Sequence, residues 1–185
     1  MHPYPPIDRY GVIGDMETVG LVGMDGSIDF MCFPSFDSPS IFARLLDWQK
    51  GGYFRIAPVL DDARHKQMYL PDTNVLFTRF LSAQGVAEVS DFMTLEEGQH
   101  RMVRRAKTVR GEVKYRMVCA PRLNYGRDRH RIIRTSDGVV FESTGDQPIA
   151  LRLRSNVPLK LEEGDATAEF TLSANEHAMF IFELA

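Results

Sequence analysis

The sequence TVGLVGMDGSIDFMCF, residues 18–33, decides the fold class. Two short apolar segments flank Asp25-Gly26, and glycine readily adopts the positive φ that a type I′ hairpin turn requires. The stretch therefore predicts two antiparallel strands joined by a tight turn. Because side chains alternate along a strand, three residues of the second strand are expected on the side of the sheet opposite to Asp29: Ile28, Phe30 and Cys32.

The same pattern of short strands and tight turns recurs towards the C-terminus. Turns are predicted at Gly85, at Asp137-Gly138 and near Gly164-Asp165, each between segments with the two-residue period of a strand. PIALRLRS (148–155) and AMFIFEL (178–184) add further strands. With roughly a dozen strands of about 5 or 6 residues each, the sequence predicts an all-β fold, an antiparallel β-sandwich of the supersandwich type.

One segment departs from this pattern. SPSIFARLLDWQKGG, residues 38–52, offers Ser38 as an N-cap, Pro39 at the first helical position and Gly51 as a stop. Its apolar residues Phe42, Leu45 and Leu46 would lie on one face of a helix. We therefore predict one short helix near residues 39–48.

The composition is that of a single globular domain. The chain has 185 residues, 44% of them hydrophobic and 25% charged, which excludes a collagen-like repeat or a coiled coil. No apolar run approaches the ~20 residues of a membrane-spanning helix, and the N-terminus lacks the basic start and apolar core of a signal peptide. With Cys32 and Cys119 as the two cysteines, a disulfide framework is not expected. These features predict a soluble, cytoplasmic protein without a membrane partner.

Motifs for nucleophilic, phosphate-binding and metal chemistry are missing from the sequence. Gly26-Ser27 lacks the second glycine of a nucleophile elbow, and no glycine-rich loop precedes a Lys-Ser or Lys-Thr pair. The histidines are scattered singly and the two cysteines lie far apart, so a zinc site would need ligands from remote strands. We therefore expect no metal and no cofactor in this chain.

Several aspartates are candidates for acid–base chemistry, because glycosidases use one carboxyl group as a proton donor and another to attack or to activate water. The candidates are Asp15, Asp25, Asp29, Asp37 and Asp91. Asp25 is interpreted as a turn residue, and Asp29 and Asp91 as outward or turn-adjacent positions on strands. For Asp37, capping the predicted helix or bracing its loop is favoured over contact with a ligand, since short polar side chains often bond nearby backbone.

Charge is distributed unevenly. Residues 101–134 contain twelve Arg and Lys against Glu112 and Asp128, a net charge of +10, so the rest of the chain carries −13 of the total of −3. One interpretation is a polyanion or phosphate site. The favoured one is a set of solvated strand faces whose cations pair with the acidic remainder. The pI near 6.0 argues against a nucleic-acid partner.

Five segments carry a family resemblance: residues 7–47, 68–80, 87–93, 104–113 and 121–127. They include GSIDFMCFPSFDSPSIFARLLD, MYLPDTNVLFTRF, AEVSDFM, RRAKTVRGEV and PRLNYGR. In this order they resemble the N-terminal domain of bacterial glycoside hydrolase family 15 proteins, the glucoamylase- and trehalase-like enzymes. The chain departs from the family where Phe30 replaces the usual Trp and Ser35 the usual Arg.

The resemblance implies a β-sandwich that precedes an α/α barrel, in which two glutamates hydrolyse α-glucosidic bonds with inversion. Residues 1–185 are therefore expected to be a single N-terminal domain, cut at its last strand. The catalytic barrel would follow it in the same polypeptide as its partner. Because the catalytic glutamates belong to the barrel, no catalytic residue is expected in this chain, which alone should be inactive and meet the α-glucoside only indirectly.

Two irregular segments are predicted to border the barrel or its substrate mouth, because binding residues concentrate on loops held by a rigid scaffold. They are Pro34–Pro39 and Pro121–Arg127. The residues of interest are Ser35, Phe36, Asp37, Ser38, Arg122 and Tyr125. Two other functions stay open: a stand-alone carbohydrate-binding sandwich, and a β domain that binds phosphate or another polyanion through residues 101–134.

Overall fold

The computed structural model describes residues 4–96, 98–146 and 148–185, so the first three residues of the N-terminal segment lie outside it. The described residues form sixteen strands, a 3-10 helix and one single-turn helix. In chain order these are the 3-10 helix (Ile7–Arg9), β1 (Tyr10–Gly14), β2 (Val19–Gly23), β3 (Ser27–Cys32), β4 (Ser40–Phe42), β5 (Tyr53–Pro58), β6 (Arg64–Tyr69), β7 (Leu76–Leu81), β8 (Val86–Met93), β9 (Arg101–Arg110), β10 (Glu112–Ala120), α1 (Leu123–Gly126), β11 (His130–Arg134), β12 (Gly138–Ser143), β13 (Ala150–Ser155), β14 (Lys160–Glu162), β15 (Asp165–Ser173) and β16 (His177–Leu184).

The strands form two antiparallel sheets of eight strands each, packed as a β-sandwich. The first sheet has the order β1-β2-β3-β5-β10-β15-β14, with β4 paired to β3. The second has the order β11-β12-β13-β16-β9-β8-β7-β6. The predicted all-β antiparallel sandwich is confirmed, with more strands than the dozen expected.

β10 shows how alternation selects the buried face. Tyr115, Met117 and Cys119 have no exposed surface, whereas Lys114 and Arg116, which alternate with the buried residues, face solvent. β10 pairs with β5 on one side and with β15 on the other, so it lies in the middle of the first sheet. The two-residue period of apolar residues in the sequence therefore matches the alternation of buried and exposed side chains along β10.

Phenylalanines from both sheets form the centre of the sandwich. Phe54 on β5 meets Phe180 on β16 edge to face, with ring centroids 6.4 Å apart. Phe42 on β4 and Phe182 on β16 are 5.6 Å apart. All four rings are fully buried, and burial of each stabilises the fold by about 1.5–3 kcal/mol.

The predicted hairpin of β2 and β3 is present, but its alternation is broken. Gly26 has a φ of +80°, as the turn requires. Leu21 pairs with Phe30 and Val22 with Ile28, which leaves Asp29 as an extra residue in β3. This bulge shifts the later side chains. The core therefore receives Ile28, Met31 and Phe33, and the prediction for Phe30 and Cys32 is wrong.

The prediction of a helix near residues 39–48 is also wrong. Ser40–Phe42 is a strand, and turns follow it. Its backbone pairs with β3 through Met31 and Phe42, and the carbonyl of Ile41 accepts the N–H of Arg122. Long-range pairing thus overrides the local capping signals.

None of the helices in the described part of the chain is long and apolar enough to cross a membrane.

Candidate functional site

The two loops predicted as site candidates, residues 34–39 and 121–127, lie next to each other where β3 and β10 end. The N–H of Arg122 donates to the carbonyl of Ile41, 2.9 Å away, which joins the second loop to the strand that leaves the first. Side chains of both loops line one cavity. The structure therefore brings together two segments that are separated by 81 residues in the sequence.

Hydrogen bonds inside the 34–39 loop hold it in shape. The Oγ of Ser35 lies 2.8 Å from both Oδ1 of Asp37 and the Oγ of Ser38. The N–H of Ser35 also donates to Ser38 Oγ, at 3.2 Å. Asp37 thus braces its loop, which is one of the roles predicted for it. Ser38 was predicted to cap a helix, but no helix follows it. Phe36 is left 59% exposed, so its ring is free for contact with a partner.

Arg122 is occupied by an ion pair. Its guanidinium donates to both carboxylate oxygens of Asp165 at the start of β15, with distances of 2.6 and 3.2 Å. The two side chains are 34% and 21% exposed. Arg122 therefore anchors the 121–127 loop to the first sheet, and its predicted contact with sugar or barrel would have to compete with Asp165.

The 121–127 loop contains a left-handed turn. Asn124, Tyr125 and Gly126 have φ values of 52°, 57° and 74°. A residue with a Cβ pays about 1–2 kcal/mol in this conformation, so two such residues in succession store strain. Strain of this kind concentrates at functional positions. Tyr125 is 46% exposed.

Tyr125 also lies close to Cys32, the last residue of β3. Burial raises the pKa of the Cys32 thiol, and the nearby Tyr125 hydroxyl partly offsets that rise. The negative charge of a Cys32 thiolate in turn raises the pKa of Tyr125. The raised pKa values keep both groups protonated near pH 7, so the Cys32 thiol is less nucleophilic than an ordinary free cysteine.

His100, for which the sequence predicts no role, is linked to the 34–39 loop by a chain of hydrogen bonds. The Nδ1–H of His100 donates to Oδ2 of Asp15 at 2.8 Å, and these side chains are 14% and 5% exposed. Oδ1 of Asp15 accepts the N–H groups of Glu17 and Thr18 at 3.0 and 2.8 Å. The carbonyl of Glu17 accepts the N–H of Phe36 at 2.8 Å. His100 is thus connected through one turn to the candidate loop.

The interpretation of Asp29 and Asp91 as outward or turn-adjacent residues is wrong, because they are 3% and 0% exposed. Asp29 accepts the Tyr10 hydroxyl at 2.8 Å and faces Arg44 at 3.5 Å. Burial raises the pKa of Asp29, and the same burial with the hydrogen bond to Asp29 raises that of Tyr10. Asp91 pairs with Arg104 inside the core. Each carboxylate thus has a structural partner.

A cavity of about 160 Å³ separates the two candidate loops. Its polar lining comes from Ser38, Asn124 and Asp128. A larger groove, of about 690 Å³, lies elsewhere, beside Arg64 and Arg110, and neither candidate loop reaches it. The smaller cavity is therefore the one that belongs to the predicted site.

The basic region does not form one surface. β9 places Arg101, Arg105 and Lys107 on the second sheet, whereas β10 places Lys114 and Arg116 on the first. Several of its cations pair with carboxylates, at distances of 2.6–2.7 Å: Arg101 with Glu183, Lys114 with Glu169, Arg122 with Asp165 and Arg131 with Glu142. This arrangement favours solvated strand faces with paired cations over a polyanion site. Arg104 is the exception to the solvated description, because it is buried.

These features define an all-β sandwich domain with two adjoining polar loops. In the described residues no cluster of three or more His, Cys, Asp or Glu side chains is arranged to hold a metal ion. A family model for trehalase-like N-terminal domains matches residues 2–185. The chain belongs to this family of trehalase-like N-terminal domains.

Similar proteins include longer trehalases. Trehalase 1 of Sulfolobus acidocaldarius is 40% identical over 148 residues, which cover 80% of this chain and 25% of that protein. The trehalase of Thermoplasma volcanium is 33% identical, with 85% and 26% covered, and that of Mycobacterium tuberculosis 28% identical, with 90% and 28% covered. The chain thus spans about a quarter of the length of these relatives.

The fold also occurs in a solved structure described as "Putative kojibiose phosphorylase from human microbiome". The two structures superpose with a TM-score of 0.56 at 11% sequence identity, over 94% of this chain and 29% of the other. At this identity the likeness shows the fold alone. The sandwich again accounts for a minor part of a longer chain.

Proposed function

We propose that this chain is the noncatalytic N-terminal domain of an enzyme of the glycoside hydrolase family 15 type, which hydrolyses α-glucosidic bonds in trehalose or a glucoamylase substrate. The observation that carries the proposal is the family match over residues 2–185, together with trehalases about four times as long as the matched region. A catalytic barrel in the same polypeptide would be the partner of the domain.

The side chains of the sandwich support a noncatalytic role. An inverting glycosidase needs two carboxyl groups about 6.5–9.5 Å apart with room for a water between them. The buried carboxylates described above are instead engaged: Asp91 by Arg104, Asp29 by Tyr10, and Asp15 by His100. Hydrolysis is therefore assigned to the barrel and not to these residues.

The exposed parts of the two loops are the proposed contact with the barrel. Phe36 and Tyr125 are 59% and 46% exposed on loops fixed by internal hydrogen bonds and by the Arg122–Asp165 pair. Exposed aromatic side chains on a rigid support favour a binding surface. We infer that this surface packs against the barrel and borders its substrate mouth, with Asp37 beside it.

Kinetics of the full-length enzyme test the proposal. Phe36→Ala, Asp37→Ala and Tyr125→Ala are expected to raise KM or lower kcat for trehalose and maltose, because they remove side chains at the mouth. Val59→Ala is the matched control, since Val59 is also 59% exposed but follows β5 at the opposite end from the loops. Unchanged kinetics in all three loop variants, or hydrolysis by residues 1–185 alone, would overturn the proposal.

We also infer a cytoplasmic location. Cys32 and Cys119 are both free thiols, and free thiols are the usual state of cysteine in reducing compartments. Fractionation of the native cells, with the enzyme followed by activity, tests this. Recovery of the activity from the medium or the cell envelope would contradict it.

A further inference from the structure

Exposed apolar side chains are concentrated on four adjoining loops that we call the loop surface: residues 15–18, 34–39, 43–52 and 121–127. Five large apolar residues on these loops are exposed: Met16, Phe36, Leu46, Trp48 and Tyr125. Among the described residues, one large apolar side chain, that of Val59, is exposed on the loops at the opposite end of the strands, which are 59–63, 82–85 and 156–159. Single exposed apolar residues are ordinary, but a concentration of them marks an interaction site.

Backbone contacts join these loops into one surface. The N–H of Phe36 donates to the carbonyl of Glu17 at 2.8 Å, so the loops that carry Phe36 and Met16 touch. A Cβ on Gly126 would lie 3.2 Å from the carbonyl oxygen of Lys50, so the loops that contain these two residues also touch. Because the two candidate loops share a cavity, the four loops are continuous with one another.

An aspartate braces the loop that carries Leu46 and Trp48, as Asp15 and Asp37 brace theirs. Oδ1 of Asp47 accepts the backbone N–H groups of the residues two and three positions later, both at 3.0 Å. The carbonyl of Asp47 also accepts the N–H of Gly51 at 2.7 Å. The apolar side chains are thus displayed on backbones that are already fixed, which lowers the entropy cost of binding a partner.

Met16 is unfavourable for the isolated domain in two ways. Its φ of 74° lies in the left-handed region, where a Cβ is disfavoured. Its side chain is also 83% exposed, although it is apolar. Unfavourable backbone conformations persist mainly at functional positions. A partner that covers the Met16 side chain offsets both costs.

The side chains of the loop surface favour a protein partner over a free sugar. Leu46 has no polar group, and the thioether of Met16 is only a weak hydrogen-bond acceptor, so neither side chain suits the hydroxyl groups of a sugar. Aromatic residues and methionine are enriched in protein interfaces. The partner surface is therefore expected to be apolar protein.

The position of Ala185 indicates which protein covers this surface. The N–H of Ala185 donates to the carbonyl of Ala150 at 2.9 Å, and the neighbouring Ile149 lines the cavity between the candidate loops. Ala185 therefore lies beside the loop surface. The relatives are about four times as long as the matched region, and the barrel of the proposed function follows residue 185. The barrel would thus begin next to this surface.

We propose that the loop surface is a permanent interface with the barrel of the same polypeptide, in which Met16, Leu46 and Trp48 are buried together with Phe36 and Tyr125. This inference rests on the proposed function. It goes beyond that function because it adds the 15–18 and 43–52 loops to the contact and assigns them an apolar surface of the barrel as their partner.

Hydroxyl-radical footprinting of the full-length enzyme and of the 185-residue chain, read by mass spectrometry, tests the proposal. Met16 and Trp48, the single tryptophan of the chain, should be oxidised several-fold more slowly in the full-length enzyme, because the barrel shields them. Met68 is the matched control, since it is also exposed but lies on β6, outside the loop surface. Its oxidation rate should be the same in both proteins.

Trp48→Asp gives a second readout. In the 185-residue chain the position is exposed, so the Tm should stay unchanged. In the full-length enzyme the sandwich should unfold several degrees lower, because the variant places a charge in an apolar interface. Val59→Asp is the matched control at the opposite end of β5 and should change neither temperature.

Three results would overturn the proposal: equal oxidation of Met16 and Trp48 in the two proteins, equal protection of Met68, or no effect of Trp48→Asp on the full-length enzyme. Protection that appears only in the isolated chain, as its concentration rises, would instead assign the surface to a second copy. Altered kinetics of the loop variants with Met16 and Trp48 unprotected would leave the proposed function standing without this interface, so failure of each idea is visible separately.

Discussion

Arg104 on β9 and Asp91 on β8 face each other across the second sheet as a fully buried ion pair. Arg104 Nε lies 2.7 Å from Oδ1 of Asp91, and a terminal nitrogen lies 3.3 Å from Oδ2. The same guanidinium donates to the carbonyls of Gly26, at 2.8 Å, and Phe54 in the first sheet. It also covers the Phe54 ring, 4.7 Å from its centroid. One side chain therefore joins the two sheets.

Removal of one partner from this pair should destabilise the domain strongly. Asp91→Ala leaves a buried guanidinium without its counter-charge, which costs about 3–5 kcal/mol in the free energy of unfolding. Urea unfolding of the 185-residue chain measures this. Arg131→Ala is the control, because Arg131 is 65% exposed in its pair with Glu142 and such surface pairs contribute about 0–1 kcal/mol. A loss below 1 kcal/mol for Asp91→Ala would show that the pair does not hold the sheets.

Asp15 should make stability depend on pH at the acid end. Burial alone would raise the pKa of Asp15, but hydrogen bonds from His100, Thr18 and Glu17 lower it overall. Because the folded pKa is below the unfolded value of about 3.9, the contribution is present above that pH and is lost as the pH falls through the folded pKa. Asp15→Asn should therefore cost about 1.5 kcal/mol or more at pH 7.

Urea unfolding at a series of pH values tests this expectation. The stability difference between the parent chain and Asp15→Asn should shrink as the solution is acidified. Asp37→Asn is the control, since Asp37 is exposed and bonded within its own loop. A difference that stays constant from neutral to acid pH would contradict the assignment of the hydrogen bonds to Asp15.

The two thiols should differ in reactivity. Burial raises the pKa of Cys32 and raises that of the fully buried Cys119 much further. Because the thiolate is the reactive form, iodoacetamide at pH 8 should modify Cys32 more slowly than free cysteine and leave Cys119 unmodified until the domain unfolds. Mass spectrometry of the Cys32→Ser variant isolates Cys119. Rapid modification of Cys119 in the folded protein would show that β10 opens locally.

Local patterns predicted much of the fold. The hairpin turns depend on the positions of glycines, and the buried face of β10 depends on a two-residue period of apolar side chains. Both are properties of residues that are close in sequence. The extra residue at Asp29 and the strand at Ser40–Phe42 depend on pairing with β2 and β3, and no local signal shows that pairing. The predicted helix failed for this reason.

The buried ion pair between Arg104 and Asp91 does have a signal in the sequence, although the two residues were not predicted to pair. Arg104 has the same two-residue phase as the core residues Met102 and Ala106, and Asp91 has that of Val89 and Met93. An arginine and an aspartate in the buried phase of two neighbouring strands predict a paired core site. The adjacency of residues 34–39 and 121–127 carried no such signal, since it depends on the order of β3, β5 and β10 in the sheet.

A double-mutant cycle should separate the anchoring role of Arg122 from contact with the barrel. Arg122→Ala and Asp165→Ala are each expected to lower the stability of the 185-residue chain, with a coupling energy of about 1 kcal/mol for this half-buried, two-bond pair. In the full-length enzyme the two variants should then change kinetics equally. A kinetic defect confined to Arg122→Ala would show that the guanidinium touches substrate or barrel directly.

At Tyr125, in the left-handed turn, we expect the glycine variant to be more stable than the alanine variant, the reverse of the usual order. Tyr125 has φ 57° and ψ 32°, so Tyr125→Gly relieves a cost that Tyr125→Ala retains, and should be the more stable variant by about 1 kcal/mol. Ile133, 42% exposed in β11, is the control, because glycine in an extended strand is less stable than alanine. Thermal or urea unfolding of the four variants decides the matter. The same ranking at both positions would mean that residues 124–126 do not keep the left-handed turn.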